Sequence, residues 1–257
     1  MLLFVLLGAE TEKWDEREVQ WRILEKEERI LGNDSRLLRY IRDYVLIPPL
    51  PRKVPYRLSS PKKHHFSQIG DQVTFLKTYF GNTSGGFFIE AGAYEGEALS
   101  NTLWLERERN WTGLLIEPDS TNFACLKQKR RKSWLAHSCL SPLPYAQKMS
   151  LEGGGSGGRM TPSRQEKNRQ MHNIICFPLE SFLWAIGQSK VDFFSLDIEG
   201  LDYKVLSSIP WDILDIRVLL VETYHVERND VLRFMAEKKY RHVQNISADD
   251  VFEKLRN

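Results

Sequence analysis

The stretch Phe87-Phe88-Ile89-Glu90-Ala91-Gly92-Ala93-Tyr94-Glu95-Gly96 reads as an apolar strand ending in an acid, a turn with two glycines, and the entry to a helix. The run before Glu90 is continuously hydrophobic rather than alternating, the pattern of a strand buried on both faces of a parallel sheet. The same pattern recurs at residues 113–116, 134–136, 174–177, 191–196 and 218–221, whereas 96–107 and 120–132 have helix composition. Strand, helix and strand in succession predict right-handed βαβ units, hence an α/β fold with a mainly parallel sheet and helices on both faces. Ligands of such sheets sit outside the carboxyl ends of the strands, so chemistry is expected just after each run.

Four strand ends carry candidate residues. At the first, Gly92, Ala93, Tyr94 and Gly96 form a turn that a nucleotide can approach closely, and Glu90 offers a carboxylate to a cationic ligand. The bland alternative is a plain tight turn. No Gly-x-Gly-x-x-Gly phosphate loop follows the strand, which disfavours an NAD(P) enzyme. At the second, Leu114-Leu115-Ile116-Glu117-Pro118-Asp119, the acid stands about 20 residues beyond the glycine turn, where a carboxylate can accept ribose hydroxyls. Glu117 and Pro118 are read as cofactor contacts there, and Asp119 as a helix cap. The third, residues 191–202, ends in Asp197, Glu199 and Asp202; such acids can raise one another's pKa, orient a substrate hydroxyl, or hold a cation. No metal site is predicted. The fourth, Val221-Glu222-Thr223-Tyr224-His225, offers His225 as a general base or as an ordinary surface imidazole.

The rest of the 257-residue chain frames this core. Lys and Arg number 36 against 34 Asp and Glu, so no charge excess points to nucleic acid. Residues 1–46 read as a charged helical extension, outlying or juxtamembrane. Its apolar start at 1–9 is either a stump of a signal or anchor, through which the chain can associate with a membrane, or a segment packed on the domain. Residues 47–63 form a proline-rich basic linker and 64–257 the main domain. The glycine-rich segment 153–158 is expected to lie away from the sheet without function. Four Asn-x-Ser/Thr sequons among ten asparagines favour a secretory lumen, with Asn110 expected too close to the core to be glycosylated. Cys139 and Cys176 flank the 150–170 loop and either form a disulfide or remain, with Cys125, as buried thiols; Cys125 is expected to pack in a helix.

Taken in order, Glu-x-Gly-Ala-x-x-Gly from Glu90, Ile116-Glu117-Pro118, and Asp197-Ile198-Glu199-Gly200-x-Asp202 resemble the FkbM-type methyltransferase family over about residues 66–257. Residues 67–72, 96–103, 139–141 and 209–212 are similar to its arthropod, Star-like branch. The family resemblance implies a Rossmann-like fold, S-adenosylmethionine as cofactor, and methyl transfer to a hydroxyl of a small molecule or glycan. On that reading Asp197, Glu199 and His225 are the catalytic candidates, and Asp197 also touches cofactor. The branch implies a secretory-pathway location and, as the alternative, a non-catalytic adaptor for a client protein. The chain departs from the family at Gly70-Asp71-Gln72, at Leu201-Asp202, and in having Glu90 where Asp is more widespread.

Overall fold

The computed structural model describes residues 15–63, 66–67, 70–162 and 172–256; the apolar run at 1–9 lies outside them. The chain opens with α1 (Glu16–Leu24), β1 (Ile30–Leu31) and α2 (Ser35–Tyr40), which passes through a π-helical turn into β2 (Leu46–Ile47). After a coil, α3 (Asp71–Phe80) leads to β3 (Phe87–Ala91), α4 (Leu103–Glu108), β4 (Thr112–Glu117), α5 (Ser120–Gln128), β5 (Trp134–His137) and β6 (Cys139–Leu140). A β-rich insertion follows, β7 (Tyr145–Glu152), β8 (Arg159–Pro162) and β9 (His172–Phe177). The chain then runs through α6 (Leu179–Ala185), β10 (Lys190–Leu196), α7 (Asp202–Ser208), β11 (Asp215–Glu222), α8 (Arg228–Glu237), β12 (Tyr240–Ile246) and β13 (Asp249–Lys254).

The main sheet has the order β12-β13-β11-β10-β3-β4-β5-β2. Its five central strands are parallel, with β2 and β13 antiparallel to their neighbours, so the fold is the expected α/β. From β3 the chain winds outward through β4 and β5, then returns to the other side of β3 for β10 and β11. The crevice for a ligand therefore opens at the carboxyl ends of β3 and β10, where the winding direction reverses. Successive side chains on a strand point to opposite faces. Ile89, Leu114, Phe194 and Leu219 thus enter one core layer, and Phe88, Leu115, Phe193 and Val218 the other. Both layers being buried explains why these strands read as unbroken apolar runs.

Several expectations are corrected. Residues 174–177 belong to a second sheet, where β9 pairs parallel with β6 and antiparallel with β7. The helix expected over 96–107 covers only Leu103–Glu108. The segment before it is bent, with Gly96 and Leu99 at φ +77° and +62°, and the bend presents Ser100, Asn101 and Thr102 to Glu90. The helix expected over 120–132 stops at Gln128, because Arg131 turns inward to pair with Glu106 at 3.1 Å, both side chains fully buried. Residues 16–47 do not stand apart: Val19, Ile23, Ile30, Leu37 and Ile41 join the core layer that holds Phe177 and Phe182, and β2 extends the main sheet. The proline-rich coil is strapped down as well, since Arg52 donates to the Asn110 and Trp111 carbonyls and the Ser59 and Ser60 amides donate to Glu97.

Cys139 and Cys176 are register partners on β6 and β9 and are joined by a disulfide, Cα to Cα 4.4 Å. Cys125 is exposed rather than packed, because α5 turns Asn122, Phe123 and Leu126 inward instead. Asn110 is exposed too, at φ +57° in the turn before β4.

Candidate active site

The pocket at the reversal point is walled by the ends of β3, β4 and β10, and roofed by the β7–β8 hairpin. Glu90, Gly92, Tyr94, Glu117, Pro118, Asp197 and Glu199 all line it, so the structure brings together most of the residues singled out from sequence. Ala93 and Gly96 do not. Ala93 is a core residue, and a Cβ on Gly96 would meet Leu126 at 2.2 Å, so this glycine seats the turn on α5.

Gly92, which lines the pocket, also has a purpose its sequence did not suggest. At φ +84°, a Cβ there would lie 1.9 Å from the Asp197 carbonyl oxygen, so the position requires glycine where two backbone segments meet. The same junction is closed by Asp197 N–H donating to the Ala91 carbonyl. It fixes the turn after β3 against the end of β10.

The strand-end acids divide into supports and free groups. Glu90 is buried and accepts from the Asn101 amide at 2.6 Å, the Ser100 hydroxyl at 2.9 Å and the Thr102 hydroxyl at 2.5 Å. Burial pushes its pKa up, against the opposing pull of Arg131. It shapes the wall that presents Asn101, whose side-chain amide donates to Ser195 while its oxygen is buried without a partner. Glu117 accepts from the Tyr94 and Asp119 amides at 2.8 and 2.9 Å and from Asn122. One oxygen retains a lone pair, and burial raises the group to about 7. Asp119 caps α5, as expected, through the Thr121 and Asn122 amides. Asp202 is fully buried, accepts from the Ile198 and Gly200 amides, and holds the turn after β10.

Half-buried Asp197 lies beside buried Glu222. Burial first, and then the charges of surrounding carboxylates, push both well above the usual carboxylate range; Asp197 adds to the push on Glu222, whereas a hydrogen bond with Glu222 pulls Asp197 the other way. His225 does not line the pocket but stands beside it. Its Nε2 is 3.1 Å from Glu199 and 3.8 Å from Glu222. Arg159 reaches its Nδ1 at 2.8 Å, and because a guanidinium only donates, the Nε2 proton faces Glu199.

Sequence reasoning missed three contributors. Asn101 carries no motif signal of its own. Glu222 is an acid at a parallel strand end, like Glu90 and Glu117, and that position was the signal. The glycine-rich segment, expected to be remote, is the roof: Gly155, Ser156 and Gly158 line the pocket, and the Gly155 carbonyl accepts from Asn122 at 2.9 Å.

A family model described as the Methyltransferase FkbM domain matches residues 90–242. Among solved structures, an FkbM methyltransferase from Methylobacillus flagellatus KT is 13% identical over 71% of this chain and 47% of that one, TM-score 0.40, so this chain spans under half of that protein's length. A SAM-dependent methyltransferase from Geobacter sulfurreducens in complex with S-adenosyl-L-homocysteine is 11% identical over 77% and 74%, TM-score 0.38. A putative rRNA methylase from Clostridium thermocellum is 10% identical over 74% and 97%, TM-score 0.44. No curated protein sequence matches the chain.

Proposed function

The chain belongs to the FkbM methyltransferase family, and from that premise we propose that it methylates a hydroxyl of a small molecule or glycan, with S-adenosylmethionine as methyl donor. The observation that carries the reading is the charge of the pocket. Among the described residues its lining includes Glu90, Glu117, Asp119, Asp197 and Glu199 and no Lys, Arg or His. Such a wall repels a pyrophosphate and favours a ligand bearing a sulfonium and an ammonium. The residues fit that ligand: the unpartnered Asn101 oxygen can accept from an ammonium, the spare Glu117 lone pair from a ribose hydroxyl, and Ile116, Leu140, Leu151 and Met160 offer apolar wall to an adenine.

When bound, the cofactor supplies an electrophilic methyl carbon. What the chain must then do is position a hydroxyl and accept its proton. Asp197 is the base in this reading, because it lines the pocket and its raised proton affinity suits proton uptake near neutral pH. Glu222 backs it, while Glu199 and His225 border the side on which the acceptor would enter. The disulfide and the exposure of Asn33, Asn82, Asn110 and Asn245 support a secretory-pathway location. Calorimetric titration with S-adenosylhomocysteine tests the core of the reading. One-to-one binding is expected, with a rise in Tm; absence of binding to the folded protein overturns it.

A further inference from the structure

One group of side chains beside the pocket is left incompletely used. Glu199 follows β10 in a turn with φ +57°, Glu222 ends β11, and His225 sits in the next turn. One ligand atom from each lies within 4.8 Å of the others. Oxygen and nitrogen ligands about 2.0–2.2 Å from a metal ion stand about 3–4.4 Å apart, and the His225 Nε2 distances of 3.1 Å to Glu199 and 3.8 Å to Glu222 fall in that interval. The second observation is Glu222 itself. It exposes only 9% of its surface, its Oε2 has no hydrogen-bond donor, and the carboxylates of Asp197, Asp202 and Asp249 add negative charge around it. A buried acceptor among carboxylates is costly unless a cation or proton joins it.

We infer that Glu199, Glu222 and His225 form a divalent-cation site at the ends of β10 and β11, on the acceptor side of the pocket. Two carboxylates and one imidazole suit Mn2+ or Zn2+ better than the all-oxygen preference of Mg2+ or Ca2+. The Arg159 guanidinium, 2.8 Å from Nδ1 of His225, supplies positive charge there in the metal-free arrangement. Arg159 is exposed and on the hairpin roof, so it can swing away when a metal enters, which frees Nδ1 to carry the ring proton and leaves Nε2 as the lone-pair ligand. An acceptor oxygen bound to the ion would give up its proton more readily, with Asp197 of the pocket wall still the group that takes it. That role rests on the methyltransferase reading; the binding of the ion does not.

The test uses the full chain, stripped with chelator and titrated with Mn2+ followed by electron paramagnetic resonance, with S-adenosylhomocysteine titrated separately in chelator. One Mn2+ per chain is expected. Loss of a partner that merely orients a metal ligand costs about 10–100-fold in affinity, so Glu222→Gln and the exposed-site variant His225→Gln should each weaken binding about 100-fold. Arg159→Gln should tighten it several-fold. Circular dichroism and Tm establish that each variant is folded, and His225→Gln carries the test if Glu222→Gln is not. No binding to wild type at millimolar Mn2+, or affinity unchanged in the folded variants, overturns the site. The S-adenosylhomocysteine titration in chelator reports on the cofactor reading alone, so the two ideas fail separately.

Discussion

A carboxylate buried at the end of a strand costs stability when it is charged. Glu117 titrates at about 7 in the folded chain against an ordinary 4.5, so folding favours its protonated form. Its contribution is fully present below pH 4.5 and is lost as pH rises through about 7, a loss of about 3 kcal/mol. Unfolding of the ligand-free protein should show this decline between pH 5 and 8, and Glu117→Gln should reduce it by about 3 kcal/mol, the remainder belonging to Asp197, Asp202 and Glu222. The same variant should weaken S-adenosylhomocysteine binding about tenfold at pH 8, read by calorimetry, because an amide accepts hydroxyl hydrogen bonds less strongly than a carboxylate. Gly92 belongs to the same scale and behaves oppositely. With the Asp197 carbonyl 1.9 Å from any added Cβ, Gly92→Ala should cost several kcal/mol and lower Tm by about 10 °C. Gly155→Ala, with open space around it, should cost about 1 kcal/mol from positive φ alone. Thermal melts of the two variants compare them directly.

At the scale of elements, the β7–β8 hairpin closes the pocket, its Leu151 and Met160 packed against the Cys139–Cys176 disulfide and Leu201. Its tip is held by Asn122 donating to the Gly155 carbonyl, and the same amide touches Glu117. Asn122→Ala should therefore speed ligand release, raising the S-adenosylhomocysteine Kd about tenfold while changing Tm by only a few degrees; stopped-flow dissociation reads the rate. The sheet beneath is secured by the Cys139–Cys176 disulfide across 37 residues of sequence. Closing a loop of that length stabilises by about 4 kcal/mol in the chain-entropy model. Reduction should lower Tm accordingly, and without reductant only Cys125 should be alkylated. Peptide mass spectrometry reads the second outcome.

For the molecule as a whole, the N-terminal segment decides solubility. Val19, Ile23, Ile30, Leu37 and Ile41 cover a layer that includes Phe177, Leu179 and Phe182. A chain starting at residue 64 would uncover that layer, and each large side chain so exposed costs about 1.5–3 kcal/mol. It should be recovered aggregated or with low Tm, as gel filtration and melting would show. Among the described residues, no helix is long and apolar enough to cross a membrane, and the amphipathic faces of α1 and α2 are spent on this core.

What the sequence determined by itself is whatever depends on near neighbours along the chain. Runs such as Phe193-Phe194 declare a strand buried on both faces, and acids at 90, 117 and 197 declare strand ends that line the pocket, because strand periodicity and topology place them there whatever surrounds them. The cap at Asp119 was legible for the same reason. Only tertiary structure decided which of these groups were already spent. Glu90 is consumed by residues 100–102 and Gly92 by the Asp197 carbonyl, while Asn101 and Glu222 are left with open valences. It also decided that β9 joins a second sheet and that a glycine-rich stretch becomes a roof. Hydrogen-bond satisfaction and long-range packing are properties of pairs far apart in sequence, such as Gln72 and Asp249 or Asn122 and Gly155, and no local pattern records them.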